Sequence, residues 1–82
     1  MIFLTEANRI AAAEAFDEIA HILASEDEIV ETNETIDDFI SSRGKPDNID
    51  TAENGVLVHE WNIGKKTLCV ADFGEARAAL VM

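Results

Sequence analysis

The strongest constraint on the fold is a pair of short β-type segments near the C-terminus. Residues 56–61 and 66–72 are rich in strand formers, and residues 62–65 between them read Asn-Ile-Gly-Lys. Gly64 can adopt the left-handed conformation that a bulged hairpin turn needs. The pattern therefore predicts an antiparallel β-hairpin.

Alternation along these two segments predicts the residues on each face of the hairpin, because successive side chains of a strand point to opposite sides. In the first strand one face should carry Leu57, His59 and Trp61, and the other Val56, Val58 and Glu60. In the second strand Leu68 and Val70 should oppose Thr67, Cys69 and Ala71. We expect one face of this hairpin to pack on helices.

An alanine-rich segment, residues 6–24, predicts a helix with one apolar side. Apolar residues recur at spacings of four, three and four and should face the core: Ala12, Phe16, Ile19 and Leu23. The opposite side would carry Glu14, Asp17, Glu18 and His21. For residues 2–4, which precede this helix, we favour a short strand over an apolar lead-in capped by Thr5.

The next segment, residues 25–43, is predicted to be helical, as one helix or as two short ones. Ser25 with Glu28 matches a capping box, which would start a helix after the first one ends. Thr35 with Asp38 offers another start, and the weak helix formers Thr32-Asn33 lie between the two signals. The sequence leaves both arrangements open.

Gly44 predicts the end of the helical half, since glycine is the preferred residue just past a helix C-terminus and Pro46 follows. Residues 45–55 carry Pro, Asp, Asn and Thr and predict a loop. Residues 74–82 suit a terminal helix or a further strand, and we favour the helix. Together the elements predict an α+β fold: one small domain, residues 1–82, with N-terminal helices (1–44) packed against a C-terminal antiparallel hairpin or small sheet.

Charge restricts the class of partner. The 82 residues carry a formal net charge of −11, which disfavours nucleic acid or an anionic membrane as a direct ligand and favours a basic protein surface. A single cysteine, Cys69, permits no intramolecular disulfide, and the apolar start lacks the basic residues of a signal peptide. We therefore expect a cytoplasmic protein, of an oligomeric state that the sequence leaves open.

No chemical motif is complete. Asp72-Phe73-Gly74 matches the kinase magnesium motif, but a chain of this length has no room for the rest of a kinase. His21, His59 and Cys69 have no paired-ligand spacing, and a mid-strand cysteine is ordinarily a small core residue. We predict no catalytic residue, no metal ligand and no cofactor, and a protein that is not an enzyme.

The candidate site is acidic. Residues 14–38 contain ten carboxylates and no Lys or Arg. As partner-binding residues we predict these ten and one aromatic: Glu14, Asp17, Glu18, Glu26, Asp27, Glu28, Glu31, Glu34, Asp37, Asp38 and Trp61. Trp61, near the hairpin tip, suits either an interface anchor or a core position, and we leave the two open.

One negative surface built from these acids predicts an inhibitor or decoy that occupies the basic nucleic-acid-binding surface of a partner protein, as a DNA or RNA mimic. In size and acidity the chain is similar to small phage-encoded or mobile-element proteins such as anti-CRISPR proteins, although it matches no motif of theirs. The alternative is an immunity protein, an antitoxin or a small complex subunit that binds through the hairpin, with the acids serving only solubility.

Overall fold

A computed structural model describes residues 4–23, 25–74 and 76–81, without the side chain of Glu26. The elements in chain order are α1 (Glu6–Ala20), a 3-10 turn (Glu26–Glu28), β1 (Val30–Thr32), α2 (Ile36–Arg43), β2 (Asn48–Thr51), β3 (Leu57–Ile63), β4 (Lys66–Asp72) and β5 (Arg77–Val81). The strands form one antiparallel sheet in the order β1-β5-β4-β3-β2. The predicted α+β class is confirmed.

The predicted hairpin is confirmed as β3 and β4. Its register places Ile63 opposite Lys66, so that Gly64 and Lys65 alone form the turn. The predicted bulged turn over residues 62–65 was therefore wrong, because Asn62 and Ile63 continue the strand pairing. Gly64 has φ +62°, the left-handed backbone for which the sequence selects glycine. The rest of the sheet adds β2 beside β3 and β5 beside β4, which leaves β1 and β2 as the two edges.

Both faces of the sheet are covered, each by a different helix. On one face α1 packs through Ala12 and Phe16 onto Val58 and Cys69. On the other face Phe39 of α2 packs onto the alternate strand residues: Trp61, Leu68 and Val70. The expectation of a single covered face was therefore incomplete, because strand alternation supplies apolar residues to both sides.

The helix α1 begins as predicted and ends earlier. The Thr5 hydroxyl accepts a hydrogen bond from the Asn8 N–H at 3.1 Å, which caps the first turn. His21 adopts the left-handed conformation with φ 57°, and its N–H bonds to the Asp17 carbonyl, so the helix stops at Ala20. Leu23 was predicted to lie in the core, but it lies beyond this stop and is exposed.

The segment from 25 to 43 contains less helix than predicted. Ser25 and Glu28 do bond to each other, but they hold a single 3-10 turn. The chain then forms strand β1, because the β-branched residues around Glu31 can pair with β5 there. The second start signal is confirmed: Thr35 and Asp38 form a reciprocal capping box at the start of α2. The predicted stop at Gly44 is also confirmed.

Two further predictions were wrong, because the structure has strands where we expected a helix and a loop. Within residues 74–82 the structure has strand β5, not the favoured helix, because β1 and β4 supply hydrogen-bond partners on both sides. Residues 48–51, assigned to a loop, form edge strand β2, whose residues are all exposed and so give no apolar alternation. Of the predicted strand at residues 2–4, positions 2 and 3 lie outside the described residues, and Leu4 is a buried lead-in to α1.

Candidate partner-binding surface

The acidic residues do not form one surface, because α1 and α2 lie on opposite faces of the sheet. Three of the ten predicted carboxylates project from α1: Glu14, Asp17 and Glu18. Asp37 and Asp38 stand at the start of α2, on the other side. Sequence reasoning could not separate the two groups, since their neighbourhood along the chain says nothing about which face each helix covers.

The outer side of α1 carries the larger exposed group of acids. Helical spacing adds Glu6 to the three residues above, and all four side chains are exposed. We call Glu6, Glu14, Asp17 and Glu18 the α1 acidic face. In the parts of the chain that the structure describes, neither Glu14 nor Asp17 makes a side-chain hydrogen bond or ion pair, so both carboxylates are available to a partner.

The arginine on this helix does not neutralise the α1 acidic face. Arg9 turns toward the sheet edge, where its guanidinium donates to the Ile29 carbonyl at 3.0 Å and lies 3.6 Å from the Glu31 carboxylate. Glu18 is used in part by the fold, since both of its oxygens accept the Glu53 N–H at 3.0 Å. That contact brings a further exposed acid, Glu53, beside the face.

The acids near α2 are mostly engaged in local structure. Asp38 and Glu28 accept backbone hydrogen bonds in their capping motifs. The Glu34 carboxylate lies 3.8 Å from the guanidinium of Arg43. Asp37 is exposed, as is Asp27, whereas the side chain of Glu26 lies outside the described part. Among the side chains that the structure describes, this side of the molecule therefore offers fewer unpaired carboxylates to a partner than α1 does.

Trp61 lies in the core. Its side chain is 2% exposed, its ring stacks on Phe39 with centroids 5.7 Å apart, and its indole N–H donates to the Gly44 carbonyl at 3.0 Å. Of the two interpretations that the sequence left open, these contacts support packing. At the tip of the same hairpin the exposed apolar residue is Ile63, 53% accessible.

Cys69 is buried, and its side chain lies on the opposite face of the sheet from that of His59. Burial, and then the negative charge of Glu60, raise the pKa of the Cys69 thiol to about 11, so the thiol stays protonated at neutral pH. Cys69 contributes to the core under α1, while His59 stacks beside Trp61 on the opposite face. The sheet therefore separates the two side chains, and they cannot form a nucleophile–base pair.

Other chemical candidates also have structural roles. The carboxylate of Asp72 accepts the Gly74 N–H at 2.9 Å, a turn contact that accounts for the local Asp-Phe-Gly pattern. Among residues 4–23, 25–74 and 76–81, no three His, Cys, Asp or Glu side chains are grouped closely enough to hold a metal ion. Over the same residues, the helices are too short and too polar to cross a membrane.

A feature that the sequence did not predict is an open groove of about 420 Å³ on the α2 side of the sheet. Five apolar residues line it, Val30, Phe39, Leu68, Ala79 and Val81, together with Thr32 and the charged residues Glu28, Glu34 and Arg43. No family model matches the chain, and neither the comparison with curated proteins nor that with solved structures found a similar protein.

Proposed function

We propose that the protein is a binding module that attaches to a basic protein surface through the α1 acidic face, and that this surface is one on which the partner binds nucleic acid. The observation that carries the proposal is the set of four exposed carboxylates on one side of α1, with Arg9 turned away from them. Binding there would block the partner's access to DNA or RNA.

The spacing of these acids along α1 supports the proposal that they imitate a phosphate backbone, although with fewer charges per unit length. At about 1.5 Å rise per residue, Glu14 and Glu18 are separated by roughly 6 Å along the helix, and Glu6 and Glu18 by roughly 18 Å. One strand of DNA carries a phosphate about every 3.4 Å. The face therefore presents roughly half the linear charge of a nucleic acid strand, on a rigid helix that is already ordered before binding.

Such a surface should act mainly by attraction at long range. Complementary charges raise association rates more than they strengthen the final complex, and added salt weakens them. The remaining acids contribute to the same field, because the net charge is −11. The α1 acidic face then sets the orientation in which the partner docks.

Capture of the partner from a lysate of cells that carry this gene tests the proposal. The variant Glu14→Gln/Asp17→Asn removes two charges from the α1 acidic face. The matched control Asp37→Asn/Asp47→Asn removes two charges elsewhere, so both proteins have a net charge of −9. We expect the first variant to capture much less partner and the control to resemble the wild type. Equal loss in both would show that only net charge matters, and unchanged capture in both would exclude the α1 acidic face.

A further inference from the structure

The groove on the α2 side has apolar walls on two different elements. Its floor consists of Leu68 and Ala79, α2 contributes Phe39 as one wall, and the edge strand β1 contributes Val30 as the other. Val81, which pairs with Leu68, also lines the groove. Val30 and Val81 are 63% and 57% exposed, which is unusual for two valines that share one concave surface.

Charge surrounds this apolar strip. The carboxylates of Glu28 and Glu34 lie on its rim. Arg43, on the α2 side, is held in place: its guanidinium donates to the Ser42 hydroxyl at 2.7 Å and lies over the Phe39 ring at 4.8 Å. Arg43 also neighbours Glu34 and offsets the charge of that carboxylate. Glu28 accepts hydrogen bonds from Ser25 through Oε1 but has no ion pair among the described residues, so its negative charge is the one more available to a cation.

We propose that this groove binds an extended segment of a basic partner, in which apolar side chains enter the groove and neighbouring Lys or Arg side chains contact the rim carboxylates. The inference deepens the proposed function, from which it takes the basic partner, but it depends on different residues. A second copy of this chain is a poor occupant, since each copy would bring a net charge of −11 to the contact.

The width of the groove favours an extended segment over a helix. Its floor residues, Leu68 and Ala79, lie on the neighbouring strands β4 and β5, which are spaced by about 4.8 Å. A helix with its side chains is about 10–12 Å across, and α2 already bounds one side. An extended chain also presents alternating side chains, which suits an apolar floor beneath a charged rim.

Binding of synthetic peptides to the purified protein tests the proposal. The probe is a short fluorescein-labelled peptide of alternating Lys and Val, compared with alternating Glu and Val and with alternating Lys and Ser. We expect the Lys-Val peptide alone to bind, as measured by fluorescence anisotropy. Equally tight binding of the Lys-Ser peptide would show that charge alone attracts the probe, which would overturn the groove and leave the proposed function standing. Equal binding of the Glu-Val peptide, or no binding of any peptide, would also overturn it.

Two variants of equal design locate the site. Val30→Thr/Val81→Thr keeps side-chain shape and strand propensity but makes the groove polar. Ile49→Thr/Ile63→Thr changes two apolar residues of similar exposure, 54% and 53%, at the opposite sheet edge and the hairpin tip. We expect Val30→Thr/Val81→Thr to bind the Lys-Val peptide about tenfold more weakly than the wild type does, and Ile49→Thr/Ile63→Thr to bind it as tightly as the wild type does. Equal weakening in both would place the peptide elsewhere. The Glu14→Gln/Asp17→Asn variant should bind the peptide almost as the wild type does, which separates this site from the α1 acidic face.

Discussion

Replacement of Trp61 by phenylalanine should destabilise the protein without unfolding it. Truncation to alanine would cost about 3–5 kcal/mol, a large part of the roughly 4–12 kcal/mol expected for a domain of this size. Phenylalanine keeps a ring against Phe39 but loses the hydrogen bond to the Gly44 carbonyl, worth about 0.5–1.5 kcal/mol. The smaller ring also leaves part of the buried volume empty, at a cost of about 1 kcal/mol. We therefore expect a total loss of about 2 kcal/mol.

Urea unfolding followed by far-ultraviolet circular dichroism measures this loss, because the variant has no tryptophan fluorescence. With a slope of about 1 kcal/mol per molar, the midpoint should fall by roughly 2 M. The control Ile63→Ala changes an exposed residue at the tip of the same hairpin and should stay within about 0.5 kcal/mol of the wild type. A midpoint for Trp61→Phe equal to that of the wild type would show that the indole is not packed between α2 and the sheet as described.

Three further outcomes are expected. Because the Cys69 pKa is raised to about 11, the thiol should react with a disulfide reagent far more slowly in the native protein at pH 8 than in denaturant, and equal reaction rates would contradict this. For the same reason, the free energy of unfolding should decrease as the pH rises from 9 toward 11, by about 2–3 kcal/mol at most. Thr35→Ala removes the hydroxyl that accepts the Asp38 N–H, and it should lower the free energy of unfolding in urea by about 1 kcal/mol. An unchanged free energy of unfolding would mean that the cap is unimportant to α2. With a net charge of −11, the wild-type melting temperature at pH 7 should rise with added salt, whereas a fall would indicate that the acids are individually paired.

Local patterns predicted the elements in which apolar periodicity and turn residues agree. The hairpin followed from alternation plus Gly64, and α1 followed from the spacing of Ala12, Phe16 and Ile19. The capping box at Thr35 could be predicted because the Thr35 and Asp38 side chains each accept a hydrogen bond from the backbone N–H of the other residue, only three positions away. In each case the determining contacts lie close together in the chain.

The predictions were wrong where contacts between residues far apart in the sequence determine the structure. Residues 77–81 have helix-forming alanines, yet two neighbouring strands satisfy their backbone groups and outweigh that propensity. Strand β2 has no buried face, so nothing in its sequence alternates. The division of the acids between two sides, and the groove beside Val30, depend on which face each helix covers. No local pattern carries that information.

Competition with nucleic acid tests the central claim most directly. With the captured partner bound to a labelled DNA or RNA at a constant salt concentration of about 50 mM, added wild-type protein should displace the label. The Glu14→Gln/Asp17→Asn variant should displace it poorly, and the Asp37→Asn/Asp47→Asn control as well as the wild type. A partner that holds this protein and its nucleic acid at the same time would contradict the account.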